Sequence, residues 1–412
     1  MSVRNSEVTT MVMAGGEGER LYPLTQHRTK AAVPFAGNYR IIDFTLSNCV
    51  NSGLKRIHVL TQYKSDSLNT HIRWGWDIFS PELGHYIKTM PPQQRLSSHW
   101  YLGTADAVFQ NIQSLEEERP KHVLVLSGDH VYRMDYRQLL QYHSDRDADV
   151  TVCCMQVPLE EARRLGVLQI EEDGAIVRFQ EKPQSPSPAG PGADCALCSM
   201  GIYVFKTTSL VKAVIRDART ESEHDFAKNI LPEMLRRGKR LIAYTCDEDN
   251  ANHNRYWRDI GTLDAYWQAN MDFLPRAAPF HLNDLDWPIR TYPRSRPAAS
   301  VSGKTNRAAQ NDSYLSRCLI SDGVRIEEAT VINSVIGPNV HVKAGSVIED
   351  SVLMGDSVVG RNCRIKRVVI DRRNRLPDGE KIGIDAERDR RHFTISEGGV
   401  VAVALAMPLY RD

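Results

Sequence analysis

Between Val331 and Ile370 short apolar groups return at a nearly constant interval: Val331-Ile332, Val335-Ile336, Val342, Val347-Ile348, Val352-Leu353, Val358-Val359, Ile365 and Val368-Val369-Ile370. The interval is about six residues, longer than the helical period and three times the strand period. Each group is too short to form a strand that bends gently, and Gly337, Gly360, Asn339, Asp350 and Asp356 stand between the groups as corners. A chain written this way is confined to coiling on itself as a hexapeptide β-helix. Antiparallel hairpins with regular turns are the alternative. A solenoid has flat sides that bury well against copies of themselves, so an oligomer is expected. His341 is the lone histidine within the rhythm and is expected to be exposed, so the repeat offers no evident base for acyl transfer.

A different texture opens the chain. Val8–Val33 reads VTTMVMAGGEGERLYPLTQHRTKAAV, an apolar run that breaks into glycines and then presents Arg20, Arg28 and Lys30. Gly15, Gly16 and Gly18 permit a backbone whose amides approach an anion closely, and Arg20 and Lys30 are placed to neutralise phosphate charge. Leu21 stands where a dinucleotide fingerprint needs its third glycine, and no Gly-Lys-Ser/Thr closes a Walker A loop. On the glycines alone the stretch is a turn; the cations make it a phosphate cradle.

Composition limits the partners. The chain has 412 residues, enough for two domains, with 52 basic against 51 acidic residues and a formal charge of +1. Such a balance provides no broad field for nucleic acid or an anionic membrane, so phosphate chemistry has to be local. The N-terminal MSVRNSEVTT carries neither an apolar leader nor a basic amphipathic one, and the run Val400–Met407 is too short to span a bilayer. A cytoplasmic protein is expected. The eight cysteines lie scattered, and the C-x-x-C of Cys195 and Cys198 lacks a second pair.

Strand and helix patterns alternate from the glycine loop onward. Ile41–Ser52 has helical spacing and ends at Gly53, Arg56–Thr61 reads as a strand, and Thr104 can cap a helix whose inner face is Ala105, Val108, Ile112 and Leu115. The strands His122–Leu126, Val150–Met155 and Ala175–Phe179 follow, and a further helix opens at Thr262. The alternation implies an α/β domain with a mostly parallel central sheet, in which ligands gather at the carboxyl ends of strands. Asp129 falls just after such a strand, Lys182 follows another in Gln180-Glu181-Lys182-Pro183, and Asp259 precedes the last helix. Asp129 with Asp259 supplies the carboxylate pair through which Mg²⁺ is held beside substrate phosphates. Arg20 and Lys30 are then expected on a triphosphate and Lys182 on a sugar phosphate, an arrangement suited to nucleotidyl transfer without a covalent intermediate. The expected domains are 1–275, a long, partly mobile Pro-, Ser- and Ala-rich linker 276–311, and 312–412 for the solenoid and tail.

The string G-G-x-G-x-R-L-x-P-L-T, carried by Gly15, Gly16, Gly18, Arg20, Leu21, Pro23, Leu24 and Thr25, resembles the signature of sugar-nucleotide pyrophosphorylases. With AGGEGERLYPLT, YRIIDFTLSNCVNSG, HWYLGTADAV, SGDHVY, FQEKP, SMGIYVF, YWRDIGTLDAYWQAN and WPIRTY, nearly the whole chain resembles the bacterial glucose-1-phosphate adenylyltransferases. That resemblance implies a nucleotidyltransferase domain followed by a left-handed β-helix, in a homotetramer under small-molecule allosteric control. It implies ADP-glucose synthesis from ATP and glucose 1-phosphate with Mg²⁺, for glycogen. It places Asp129 in catalysis and, with Asp259, on the metal, and Lys182 on the sugar phosphate, with Arg20 and Lys30 in the catalytic set. It puts Tyr101, Gly166, Glu181, Lys182 and Ser199 around glucose 1-phosphate, and Ala14, Gly15, Gly16, Gly18, Arg20, Gly103 and Thr104 around the nucleotide.

This chain departs from the family at several points. Ala31 replaces a usual proline, Glu17 and Glu19 add negative charge beside the presumed triphosphate and are expected to face solvent, and His27 stands where relatives carry a more basic effector-binding residue. Two rival readings remain at this level: a pyrophosphorylase for another nucleotide or sugar, and a non-catalytic regulatory subunit. Retention of Asp129, Asp259, Lys182 and Arg20 together separates the second from an enzyme.

Overall fold

The computed structural model describes residues 3–93, 100–246, 256–276, 278–303 and 313–405. Val8–Met13 is flanked on both sides by parallel strands, Arg56–Leu60 and His122–Ser127. All but its last residue are buried, as a central parallel strand requires. From one edge the nine-stranded sheet runs Ile176–Glu181, Gly166–Ile170, Cys195–Lys206, His122–Ser127, Val8–Met13, Arg56–Leu60 and Tyr86–Met90. Val150–Pro158 joins on Cys195–Lys206 and carries Leu241–Thr245 in parallel. The long strand Cys195–Lys206 is antiparallel to its neighbours, so the sheet turns from parallel to mixed on the side where the sugar-phosphate candidates lie.

Local signals set most boundaries. The helix Ile41–Asn51 stops before Gly53, whose φ of 78° suits a residue without Cβ. Thr262 caps the helix Leu263–Asp272 by accepting from the Ala265 amide, as expected. Thr104 does not cap its own helix. The N-cap of Thr104–Gln110 is Gly103; the Thr104 hydroxyl instead donates to Asp225 and accepts from the Phe226 amide. A partner 121 residues away outcompetes the local bond. The expected single helix through Leu115 is broken at Asn111 into Thr104–Gln110 and Ile112–Glu118.

The second unit is a left-handed β-helix with three flat sheets of short parallel strands. Stacked positions lie 17 residues apart, about three hexapeptides to a coil: Ser334 Oγ accepts from the Ser351 amide, and Ser351 Oγ from the Val368 amide. Asn333, Asn339, Asp350, Asp356 and Asn362 take positive φ at corners, as do Arg317, Arg367 and Arg373. The solenoid starts earlier than the composition suggests. Ser300–Ser302 already pairs with Arg325–Glu327, so part of the expected linker is its first strand. Upstream, Phe280 and Ile289 are buried and Trp287 Nε1 donates to Asn48, which ties the stretch to the N-terminal unit rather than leaving it free. Residue 277 and residues 304–311 of that linker, with residue 312 after it, lie outside the described residues. His341 is also less exposed than expected, its ring held 2.8 Å from Glu327.

The two units share a core. Leu21, Leu24, Phe35 and Tyr266 pack with Val335, Val352, Met354 and Val369 of the solenoid. Across this junction Arg28 Nη1 donates to Asp371 Oδ1 at 3.0 Å, Ser396 Oγ to Asp264 at 2.6 Å, and Trp267 Nε1 to the Asp350 carbonyl at 2.7 Å. Among the described residues no helix is long and apolar enough to cross a membrane.

Candidate active site

The glycine loop leaves Val8–Met13 at the carboxyl edge of the sheet. Gly18 adopts φ 68°, and a Cβ there would come within 3.0 Å of Thr25 and 3.1 Å of Lys30, so only glycine fits without strain. Gly16 faces open space, which leaves room for a ligand. Thr29 Oγ1 donates to the Ala14 carbonyl at 3.0 Å and Thr25 Oγ1 to the Gly18 carbonyl at 2.9 Å, fixing the loop through its oxygens. Among the described residues nothing accepts from the amides of Gly15, Gly16 and Glu17. Glu17 and Glu19 are exposed, as expected, and rim a cavity of about 340 Å³ with Tyr22, Thr25, Tyr63 and Lys64.

Lys30 sits at the centre of the site. Its Nζ lies 2.6 Å from Asp129 Oδ2 and 2.8 Å from Asp259 Oδ1, so one ammonium bridges both carboxylates. Burial works against every charge here. The mutual attraction is larger: it keeps Lys30 above its ordinary range, while Lys30, His130 and the Ser127 hydroxyl hold Asp129 well below the usual carboxylate range. Arg20 reaches the same place over Gly261, where an added Cβ would meet Arg20 Nη2 and Asp259 Oδ2 at 3.2 Å each. Asp129, His130 and Asp259 offer donor atoms within 4.8 Å of one another, and the two carboxylates are the hard oxygen donors that a divalent ion such as Mg²⁺ takes.

The remaining candidates form a neighbouring wall. Lys182 leaves the end of Ile176–Glu181 with φ 47°, and its Nζ lies 3.2 Å from Glu181. Burial pushes the Glu181 carboxyl up, only partly offset by Lys182. Gly166 opens a strand rather than a turn and faces Glu181 in register. A Cβ on Gly166 would lie 2.6 Å from Phe179 Cζ and 3.0 Å from Glu181 Oε2. Gly166→Ala is therefore expected to cost about 1–3 kcal/mol by overpacking alone, since φ is not strained there. Urea unfolding checks this, and unchanged stability would show that Phe179 yields freely.

Ser199 stands at the bulge of Cys195–Lys206 between Ser199 and Ile202, and its Oγ accepts from the Gly201 amide. Gly201 brings this wall against the carboxylates, because a Cβ there would touch His130 Cε1 at 3.2 Å. Tyr101 is half-buried. Its hydroxyl accepts from Asn111 at 2.8 Å and donates to the Met90 carbonyl, and burial pushes it up to about 12, so it serves as wall rather than proton carrier. Gly103 lies against the backbone of Glu223 and His224, and Thr104 meets Asp225.

Four residues join the site without a sequence forecast. His130 lies 3.6 Å from Asp129 and 3.9 Å from Asp259, and Gln62 hydrogen-bonds the Tyr101 backbone in both directions beside Gly15. Asp225 anchors Thr104, and Gly261 admits Arg20. His130 and Gly261 fall inside the matching strings SGDHVY and YWRDIGTLDAYWQAN, which was the available signal, whereas Gln62 and Asp225 lie outside every such string.

Comparison with known proteins agrees with both units. A nucleotidyl transferase family model matches residues 9–276, and a GlmU-like C-terminal hexapeptide model matches residues 297–403. A glucose-1-phosphate adenylyltransferase of Koribacter versatilis is 44% identical over 98% of this chain and 97% of its own length. Glucose-1-phosphate adenylyltransferase 2 of Vibrio cholerae is 44% identical over 96% of this chain and 97% of its own length, and the glucose-1-phosphate adenylyltransferase of Rhodopirellula baltica 43% over 97% and 90%. With a glycine loop and paired aspartates on one sheet edge and a hexapeptide solenoid behind them, the chain belongs to the glucose-1-phosphate adenylyltransferase family of nucleotidyl transferases.

Proposed function

We propose that this protein transfers the adenylyl group of ATP to α-D-glucose 1-phosphate, giving ADP-glucose and pyrophosphate. The observation that carries the reading is Lys30 bridging Asp129 and Asp259 beside the glycine loop and Arg20. A phosphate oxygen of the sugar attacks the α-phosphorus, the new P–O bond forms as the bond to the β-phosphate oxygen breaks, and that oxygen leaves with the electron pair. The transfer calls for alignment and charge neutralisation more than for covalent help. Ala14, Gly15, Gly16, Gly18, Gly103 and Thr104 surround the nucleotide; Arg20 and Lys30 face its phosphates. Tyr101, Gly166, Glu181, Lys182 and Ser199 hold the sugar phosphate. Asp129 and Asp259 would hold Mg²⁺, which would supply neutralisation of the developing phosphate charge.

The same reading makes the protein a cytoplasmic homotetramer supplying glycogen synthesis under small-molecule effectors. The flat solenoid sides support association. Arg40 and Arg372 lie beside buried Arg28 near the domain junction, where burial and the repulsion of neighbouring cations weaken the charged forms of Arg40 and Arg372 and favour an added anion. The catalytic unit ends near residue 275, and the solenoid begins near residue 300.

The reading is tested by pyrophosphate release with glucose 1-phosphate and Mg²⁺, offering ATP, UTP, dTTP, GTP and CTP separately, each with and without fructose 6-phosphate, fructose 1,6-bisphosphate or pyruvate. Activity with ATP alone is expected. Preference for another nucleotide would overturn the named product, and silence throughout would favour a regulatory subunit. Lys182→Ala is expected to raise KM for glucose 1-phosphate roughly 10- to 100-fold, the scale of a lost charged hydrogen bond. A rise confined to the KM for ATP would remove Lys182 from the sugar-phosphate wall.

A further inference from the structure

Three sulfur atoms meet behind the sugar-phosphate wall. Cys153 of Val150–Pro158 and Cys246, just past Leu241–Thr245, place their Sγ atoms 3.0 Å apart across 93 residues of chain. Met200 Sδ lies 3.5 Å from each. Both cysteines are free thiols, Cys153 wholly buried and Cys246 half-exposed. The parallel pairing of their two strands sets this juxtaposition, since Tyr244 is in register with Cys153 and the Cys246 amide donates to the Cys154 carbonyl.

We propose that Cys153 and Cys246 form a reversible thiol–disulfide pair, a modification site through which oxidation slows the enzyme. A half-exposed thiol touching a buried one suits a redox pair of attacking and resolving cysteine, and in a chain without a disulfide framework such pairs serve redox sensing rather than stability. The oxidant is a small disulfide, RSSR. The Cys246 thiolate attacks one of its sulfurs, forms a mixed disulfide and releases RS⁻, which takes up a proton. Cys153 then attacks Cys246 Sγ as its proton passes to the departing sulfur, closing the intramolecular bond and releasing the second RSH. Two protein thiols lose two electrons and two protons, and RSSR gains them as two RSH. Burial pushes the Cys153 thiol well up, so it cannot initiate; contact with Cys246 allows it to resolve.

The site can feel the change. Met200 stands between Ser199 and Gly201 on the bulge that abuts His130. Trp257 packs on the apolar cluster holding Cys153 and Met200, and its ring meets His130 edge-on at 4.9 Å, two residues before Asp259. Closing the sulfur contact from 3.0 Å to a bond of about 2.05 Å shortens it by about 1 Å, and the part of that shift which reaches the catalytic site acts where a misplacement of about 1 Å costs on the order of 100-fold.

The inference uses adenylyl transfer only for its activity readout. The full chain is incubated with oxidised glutathione or with dithiothreitol, alkylated, denatured, digested and mapped, with turnover measured in parallel. The expected result is a Cys153–Cys246 cross-linked peptide, loss of two of the eight titratable thiols, and a fall in kcat of about tenfold or more that dithiothreitol reverses. Cys246→Ser and Cys153→Ala should keep the reduced turnover and lose the response. Glutathione left on Cys246 without the cross-link, a cross-link with unchanged kcat, or a response that survives in Cys246→Ser would each overturn the proposal. Lack of turnover in the reduced protein would count against adenylyl transfer, and the peptide map would still decide whether the bond forms.

Discussion

Asp129→Asn is expected to lower kcat by about 10³-fold, the scale seen when one preorganised charge-stabilising group is lost from a catalytic site. The amide has nearly the shape of the carboxylate but no charge for a divalent ion. It also removes one of the two anions that hold Lys30. Lys30 keeps Asp259 at 2.8 Å, so the lysine does not become a lone buried cation and the fold should survive. Pyrophosphate release checks the rate, and thermal melting by circular dichroism checks the fold. An unchanged kcat would remove Asp129 from the mechanism, whereas collapse of the melting transition would make its role structural.

The largest stability effect is expected at the junction of the two units. Asp371→Ala should cost about 3–5 kcal/mol, because it strips the partner from an Arg28 guanidinium that is only 1% exposed. The neighbouring cations Arg40 and Arg372 repel the guanidinium and cannot take the place of its partner. Met354 Sδ, 3.9 Å from the guanidinium, is too weak an acceptor to compensate. The double replacement Arg28→Met with Asp371→Leu should recover most of the loss, since it leaves no buried charge behind. Urea unfolding of the wild type, both single variants and the double variant decides the matter. A loss below about 1 kcal/mol for Asp371→Ala would show that the pair acts like an exposed one and does not hold the units together.

Much of this architecture is legible without coordinates because it is written at short range. The glycine loop, the cap at Thr262 and the six-residue rhythm each depend on neighbours within a turn or two of chain. The failures have a common form. Thr104 has the chemistry of a helix cap, yet its hydroxyl is taken by Asp225, 121 residues on. Ser300–Ser302 carries no apolar pair, yet the coil above supplies ladder bonds to its backbone, and backbone pairing is blind to side-chain pattern. Lys30 is a different case: its motif puts it beside phosphate, and its bridge between Asp129 and Asp259, 99 and 229 residues downstream, is an added contact that no local pattern shows.

The amino-acid sequence by itself determined the two-part architecture, the sheet edge that bears the chemistry, and the residue types present there. Period and turn chemistry act locally, and they act before any long-range contact exists. Only the tertiary structure decided that Lys30 joins Asp129 to Asp259, that Arg28 is locked to Asp371 across the domain junction, and that Cys153 touches Cys246. Those outcomes depend on sheet order and register. Many side chains could satisfy the local pattern, and the packing of distant strands selects which polar atoms come close enough for charge and hydrogen bonding to matter.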